Sequence, residues 1–322
     1  MAEAERRDPM TELVKIRSGK WELSGVVHAP ALAPPKRVGV VLLHENFNTK
    51  FGTHRMFYQV GEALAAAGFY ALRYDNRGMC DSPGINPLTF DSRVADVGPA
   101  TQFFKKEYRL DSVFFWGLCM GAAVALHASA QSGAEMPEGI MLCSLLAAPA
   151  DVSLPQFGYG ASPSRVVAGL SRGNVLKRAL RFVTDGTYRR DVGRILKGVV
   201  ARVAAREPEL DRLKKYIGQV GELLQRYRGP IVLVFGDKDP CWIHFDERVN
   251  ANDQLGLAKM GSKRTFLLLE GGDHTFSSMK QTQTVIEWTV EWAQGLRDGT
   301  AAQYSHSKLG ENRGIPVTSI AD

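Results

Sequence analysis

The chain has 322 residues, 44% of them hydrophobic and 23% charged, which excludes a wholly disordered chain, a collagen or coiled-coil repeat and a disulfide-framed miniprotein. No apolar run reaches the roughly 18 residues that read as a membrane span, and the polar opening MAEAERRDPMTE carries no signal-peptide core, so a cytoplasmic protein is expected. Lys and Arg number 40 against 34 Asp and Glu, a net +6 that is too mild to imply nucleic acid, and no reader motif or interleaved aromatics suggest it.

Residues 1–10 read as a flexible tail. Leu13–Ile16 and Trp21–Val27, flanking Ser18-Gly19, form a strand pair, and Pro30, Pro34 and Pro35 mark a loop. Arg37–Leu43 is a continuous β-branched apolar run, the signature of a buried parallel strand. Met56–Ala66 has helical periodicity and ends at Gly68; Tyr70–Tyr74 is the next strand, followed by the loop DNRGMCDSPG. A helix over Val94–Lys106 leads to a strand at Ser112–Trp116, a tight turn at Gly117–Gly121 and a small-residue helix over Ala122–Ala130. Ile140–Leu146, Pro230–Phe235 and Arg264–Leu269 are further strands, and Val285–Leu296 is a last helix.

This alternation predicts an α/β fold with a mostly parallel central sheet flanked by helices. It is interrupted once. Residues 151–228 read as a helical, basic insertion lying over the sheet as a cap, which leaves 11–150 and 229–297 as the core and 298–322 as a second flexible tail. From Ser164 to Arg228 there are 16 Lys and Arg against 6 Asp and Glu, a local +10 in a chain otherwise slightly acidic. Such a segment suits either a solvated helix face or an anionic ligand. The four cysteines Cys80, Cys119, Cys143 and Cys241 form no CxxC pair. A reduced protein with no metal and no cofactor is expected.

Chemistry concentrates at three loops. In Gly117-Leu118-Cys119-Met120-Gly121 the small residues let a strand turn sharply into a helix, and the central side chain is held above the sheet on a strained backbone. The helix N-terminus there favours a thiolate at Cys119. Gly236-Asp237-Lys238-Asp239-Pro240 follows one strand, where a carboxylate lies at the ligand-facing edge of an open sheet, and Gly271-Gly272-Asp273-His274 follows the next. The chain order is nucleophile, acid, histidine, as in hydrolase triads on such sheets. Cys119 is the expected nucleophile, His274 the base and Asp239 the acid; Asp237 competes for the last role, with Asp239 preferred because it ends GxxD before Pro240. An oxyanion hole is expected from the Met120 amide and from the loop His44-Glu45-Asn46-Phe47-Asn48, with Asn46 as second donor. Phe47, His54 and Trp242 are candidates to line the substrate cleft. Cys80, Cys143 and Cys241 read as packing or loop residues, and Asp75 and Arg77 as holding their own loop.

With those residues named, the chain resembles the α/β-hydrolase superfamily over roughly 21–296, through VVLLHENF, RMFYQVGEALAAAGFYALRYDNRGMCDSPG, GLCMGAA, VLVFGDKDP and EGGDHTF. Its cysteine nucleophile is similar to that of dienelactone hydrolases and of polyhydroxyalkanoate synthases, although the chain is short for a synthase. The dienelactone hydrolase resemblance implies an auxiliary role for Glu45, as a carboxylate touching the resting thiol. The cap departs from that family. The loop DNRGMCDSPG looks like the capped lipase, lysophospholipase and peptidase-like branch, with Cys80 where Gly is usual, and capped hydrolases of exosortase gene clusters look similar through this region and through GGDHTFS.

The expected function is hydrolysis of an ester, lactone or thioester of a small-molecule acyl substrate through a covalent acyl-thioester on Cys119. One alternative is an acyltransferase or thioesterase that uses coenzyme A or an acyl carrier protein, drawn by the basic cap. Another is a non-catalytic binding protein on the same scaffold. Neither acyl length nor oligomeric state follows from the residues.

Overall fold

A computed structural model describes residues 10–32, 34, 36–45, 48–84, 90–130, 137–146, 219–243, 245–246 and 264–300. The chain divides into two units, Met1–Ala148 with Gly218–Asp322, and Pro149–Ile217. The second unit, and with it nearly all of the cap expected at 151–228, lies outside the described residues, as do both expected tails apart from a few residues.

Eight strands make one sheet: β1 (Met10–Ser18), β2 (Trp21–Ala29), β3 (Val38–Leu43), β4 (Tyr70–Tyr74), β5 (Ser112–Leu118), β6 (Gly139–Cys143), β7 (Ile231–Gly236) and β8 (Arg264–Leu269). Their order across the sheet is β1-β2-β4-β3-β5-β6-β7-β8. The hairpin β1–β2 joins antiparallel to β4, and every later pairing is parallel. Strands β3 to β7 are buried along their whole lengths, which is why they read as continuous apolar runs rather than alternating ones.

Helices α1 (Met56–Ala66), α2 (Phe90–Tyr108), α3 (Met120–Ser129) and α4 (Met279–Arg297) flank the sheet. Helix α1 presents Met56, Phe57, Val60 and Leu64 to one sheet face, where Phe57 meets Trp116 edge-on with ring centroids 5.1 Å apart. Helix α4 starts at a capping box in which the Ser278 hydroxyl accepts from the Gln281 amide, so its first turn does not fray. Its Trp292 is buried against Phe114, and its Thr289 hydroxyl accepts from Trp116 Nε1 at 3.0 Å. Fully buried rings of this size are each worth about 1.5–3 kcal/mol. They fix the sheet from which the functional loops emerge.

The loop after β4 is held as expected. Asp75 accepts from the Lys50 amide at 2.7 Å and from Lys50 Nζ at 2.5 Å, while Arg77 donates Nε to Asp96 at 2.9 Å. Cys80 takes a positive φ of 42°, which explains a glycine preference at such a position.

Candidate active site

The sharp turn at Cys119 follows from two glycines. A Cβ on Gly117 would lie 2.4 Å from the Gly121 carbonyl oxygen, and one on Gly121 would lie 1.8 Å from that of Leu43. Only bare backbone lets β5 run this closely into α3 and lets α3 nest against the end of β3. Cys119 itself, between them, has φ 54° and ψ −114°, a conformation costing about 1–3 kcal/mol for a residue with a side chain. The tether that holds it is its amide, which donates to the Cys143 carbonyl at 2.9 Å. Cys119 is partly exposed, and Met120 is the first residue of α3, where amides have no intrahelical acceptor.

A second close approach brings acid and histidine together. A Cβ on Gly236 would stand 2.2 Å from the Gly272 carbonyl, so the loops after β7 and β8 touch through glycine backbone. Across that contact Asp239 Oδ1 accepts from His274 Nδ1 at 2.8 Å, and it also accepts from the Cys241 amide at 2.8 Å. Asp239 is fully buried, whereas Asp237 is half-buried and has Lys238 Nζ at 3.7 Å. The acid beside the imidazole is therefore Asp239.

A ligand atom of His274 lies within 4.8 Å of Cys241 Sγ, and the Cys119 and Cys241 thiols both act on the charge balance of the imidazole. Burial alone pulls the imidazole's pKa down. The hydrogen bond to Asp239, with the interactions of the Cys119 and Cys241 thiols behind it, outweighs burial and raises the pKa above the ordinary histidine value. Burial pushes the Cys241 thiol up to about 12, against the opposing pull of His274. Cys241 was expected to be a packing or loop residue; it is buried, and it also belongs to this cluster. Position two after an acid carries no motif that marks such a contact.

Ser144 escaped the sequence, and His44 was named there only as part of the oxyanion loop. Ser144, at the end of β6 with φ 51°, donates its hydroxyl to the His274 carbonyl at 2.8 Å and fixes the histidine loop from below. His44 is neutral, since burial first and the nearby Arg93 charge second lower its pKa to about 3. It bridges the loop: Nδ1 donates to the Glu45 carbonyl and Nε2 accepts from Asn76 Nδ2, each at 2.8 Å.

Glu45 is buried, not solvated. Its Oε1 accepts from the Asn48 side chain and from both the amide and hydroxyl of Thr53, and Oε2 is buried with no hydrogen-bond partner among the described residues. Asn46 and Phe47 lie outside the described residues. His54 is exposed and approaches Thr275, the neighbour of His274, at 3.5 Å. Trp242 lies on Phe235 and Phe245 with ring centroids 5.5 and 6.4 Å away, half-buried in an aromatic cluster.

The sheet order, the turn after β5 and the loops after β7 and β8 define a class of enzyme. A family model described as "Alpha/beta hydrolase family" matches residues 40–288, and the chain belongs to that family. Among solved structures it is similar to Est1E of Butyrivibrio proteoclasticus with ferulic acid bound, at 15% identity and TM-score 0.59 over 88% of this chain and 98% of that one. It is also similar to a dienelactone hydrolase of Anabaena variabilis, at 14% identity and TM-score 0.55 over 89% and 98%. The Pyrococcus furiosus esterase Pf2001 matches at 14% identity and TM-score 0.58 over 90% and 93%. At such identities the likeness is one of fold. No curated protein sequence matches the chain. Among the described residues no helix is long and apolar enough to cross a membrane.

Proposed function

We propose that the protein is a cytoplasmic hydrolase of small-molecule esters, lactones or thioesters that works through a Cys119-His274-Asp239 triad. The observation that carries this reading is the pairing of Asp239 Oδ1 with His274 Nδ1 at 2.8 Å, while the Cys119 thiol, on a strained turn, favours the protonated form of the same imidazole. The esterase and the dienelactone hydrolase of the same fold support the substrate class.

The thiol proton passes to His274 as sulfur attacks the substrate carbonyl, and Asp239 stabilises the resulting imidazolium. The Met120 amide and that of Asn46 receive the oxyanion. Collapse breaks the bond to the leaving group, which takes the proton from His274. Water then gives a proton to His274 and attacks the thioester; the C–S bond breaks, and the proton returns to sulfur. No cofactor is required. Glu45, whose buried Oε2 has no hydrogen-bond partner among the described residues, would serve as the auxiliary carboxylate for the resting thiol. His54, exposed beside Thr275, and Trp242 remain the candidates to line the approach, with Phe47 outside the described residues. General acid–base steps of this kind contribute about 10²–10⁴-fold. Turnover of short p-nitrophenyl esters by Cys119→Ala tests the reading: loss of turnover supports it, and undiminished turnover sinks it.

A second reading keeps the acyl-enzyme and changes the partner. The local +10 of residues 164–228 favours an anionic acyl donor such as coenzyme A or an acyl carrier protein, which would make the protein a thioesterase or acyltransferase. Charges screened over about 10 Å at 0.1 M salt would then raise KM steeply with ionic strength, whereas a neutral ester gives a flat response.

A further inference from the structure

Asp239, Cys241 and His274 meet at one point, although only two of them serve the proposed chemistry. Each offers one ligand atom, and the three atoms lie within 4.8 Å of one another. Three atoms no farther apart than that share a centre within about 2.8 Å of each; zinc sits about 2.0–2.3 Å from nitrogen, oxygen and sulfur donors, so inward shifts of at most several tenths of an ångström close the set.

The donors are already organised. Asp239 and Cys241 are buried, and the Cys241 amide ties the Asp239 carboxylate to the same turn at 2.8 Å. The second carboxylate oxygen, Oδ2, is buried with no hydrogen-bond partner among the described residues, an acceptor that nothing in the proposed chemistry explains. Thiolate, imidazole and carboxylate together carry two negative charges and suit zinc or cobalt over magnesium or calcium. Cys119 does not belong to the mutually close set.

We propose that Asp239, Cys241 and His274 form a binding site for a thiophilic divalent cation, with zinc as the natural fit. The cation takes the place of the Cys241 thiol proton, which leaves to solvent. Occupancy ties up the imidazole and the carboxylate, so the loaded protein does not turn over. The site stands on the geometry of the three side chains; only its effect on turnover rests on the triad reading.

Cobalt(II) is the probe. Reduced, chelator-treated full-length protein is titrated with cobalt chloride and followed by absorbance. The expected result is a thiolate-to-cobalt charge-transfer band in the near ultraviolet at one equivalent, removed by zinc. Cys119→Ser is expected to keep the band. Cys241→Ser is expected to lose it and to weaken cobalt binding by more than the about 100-fold that an outer-shell partner is worth. A wild-type protein with no such band at saturating cobalt overturns the proposal, and so does a band that vanishes in Cys119→Ser. Those two titrations decide the matter even if Cys241→Ser does not fold. A cobalt band in a protein whose metal-free form shows no esterase activity leaves the site standing and removes the triad reading; turnover by the metal-free form with no band on adding cobalt does the reverse.

Discussion

Replacing Asp239 by Asn changes no volume but removes the charge that faces His274. The amide has two orientations. If its oxygen takes the Oδ1 position, it still accepts from His274 Nδ1 and the Cys241 amide, and its NH2 group falls where Oδ2 now lies, buried and without a partner among the described residues. If the NH2 group faces His274, the Cys241 amide loses its acceptor and the imidazole must carry its proton on Nε2, where it no longer accepts one from a thiol. The first orientation puts an unmet NH2 group where the wild type already has an unmet oxygen, and the second leaves the Cys241 amide unmet as well, at about 1–3 kcal/mol. For a protein of this size that lowers the thermal midpoint by about 2–4 °C per kcal/mol. With the carboxylate gone, the imidazolium loses its chief support, and kcat is expected to fall about 10²–10⁴-fold with little change in KM. The pH dependence has a definite sign. Because folding raises the His274 pKa, its stabilisation is complete below the ordinary value of about 6.5 and is lost as pH rises through the raised one. Wild-type stability should therefore decline on the alkaline side more steeply than that of the variant. Kinetics on a p-nitrophenyl ester and thermal unfolding from neutral to alkaline pH make the comparison. An Asp239→Asn protein within a few-fold of wild-type turnover would refute the reasoning.

Other perturbations test neighbouring parts of the site. Gly121→Ala puts a methyl group 1.8 Å from the Leu43 carbonyl oxygen, which backbone must yield to; a loss of at least about 1–3 kcal/mol in urea unfolding and a fall in kcat are expected. Ser144→Ala removes the hydroxyl that holds the His274 carbonyl, so stability should drop by about 1 kcal/mol and kcat should fall while KM stays put. Lys50→Met leaves the fully buried Asp75 without its ion-pair partner and should cost about 3–5 kcal/mol by chemical denaturation, whatever the substrate.

The sheet was legible in the sequence because its middle strands are buried on both faces and read as unbroken apolar runs. Helix α1 and strand β4 keep the expected limits, whereas β5 runs on through Gly117 and Leu118 up to the turn, since the strand's register with β6 continues to Leu118. Helix α4 begins earlier than its apolar period shows, at the Ser278 capping box, where the first turn is polar. Cys119, Asp239 and His274 were each visible because each follows its own strand in a turn of small residues. The roles of Cys241, Ser144 and His44 were not, because they depend on which loops the sheet order brings into contact. Asp239 over Asp237 rested on a weak spacing argument, and the side chains show why the choice matters: one carboxylate is under the imidazole and the other is beside Lys238.

The central claim is that the Cys119 sulfur becomes acylated. Intact-protein mass spectrometry after acid quench of a slow ester or thioester substrate, with peptide mapping, tests it most directly. The expected result is a mass increase equal to the acyl group, located on the peptide containing Cys119 and absent from Cys119→Ala. A protein that turns substrate over with no adduct in either form, or with the acyl group on another residue, would contradict it.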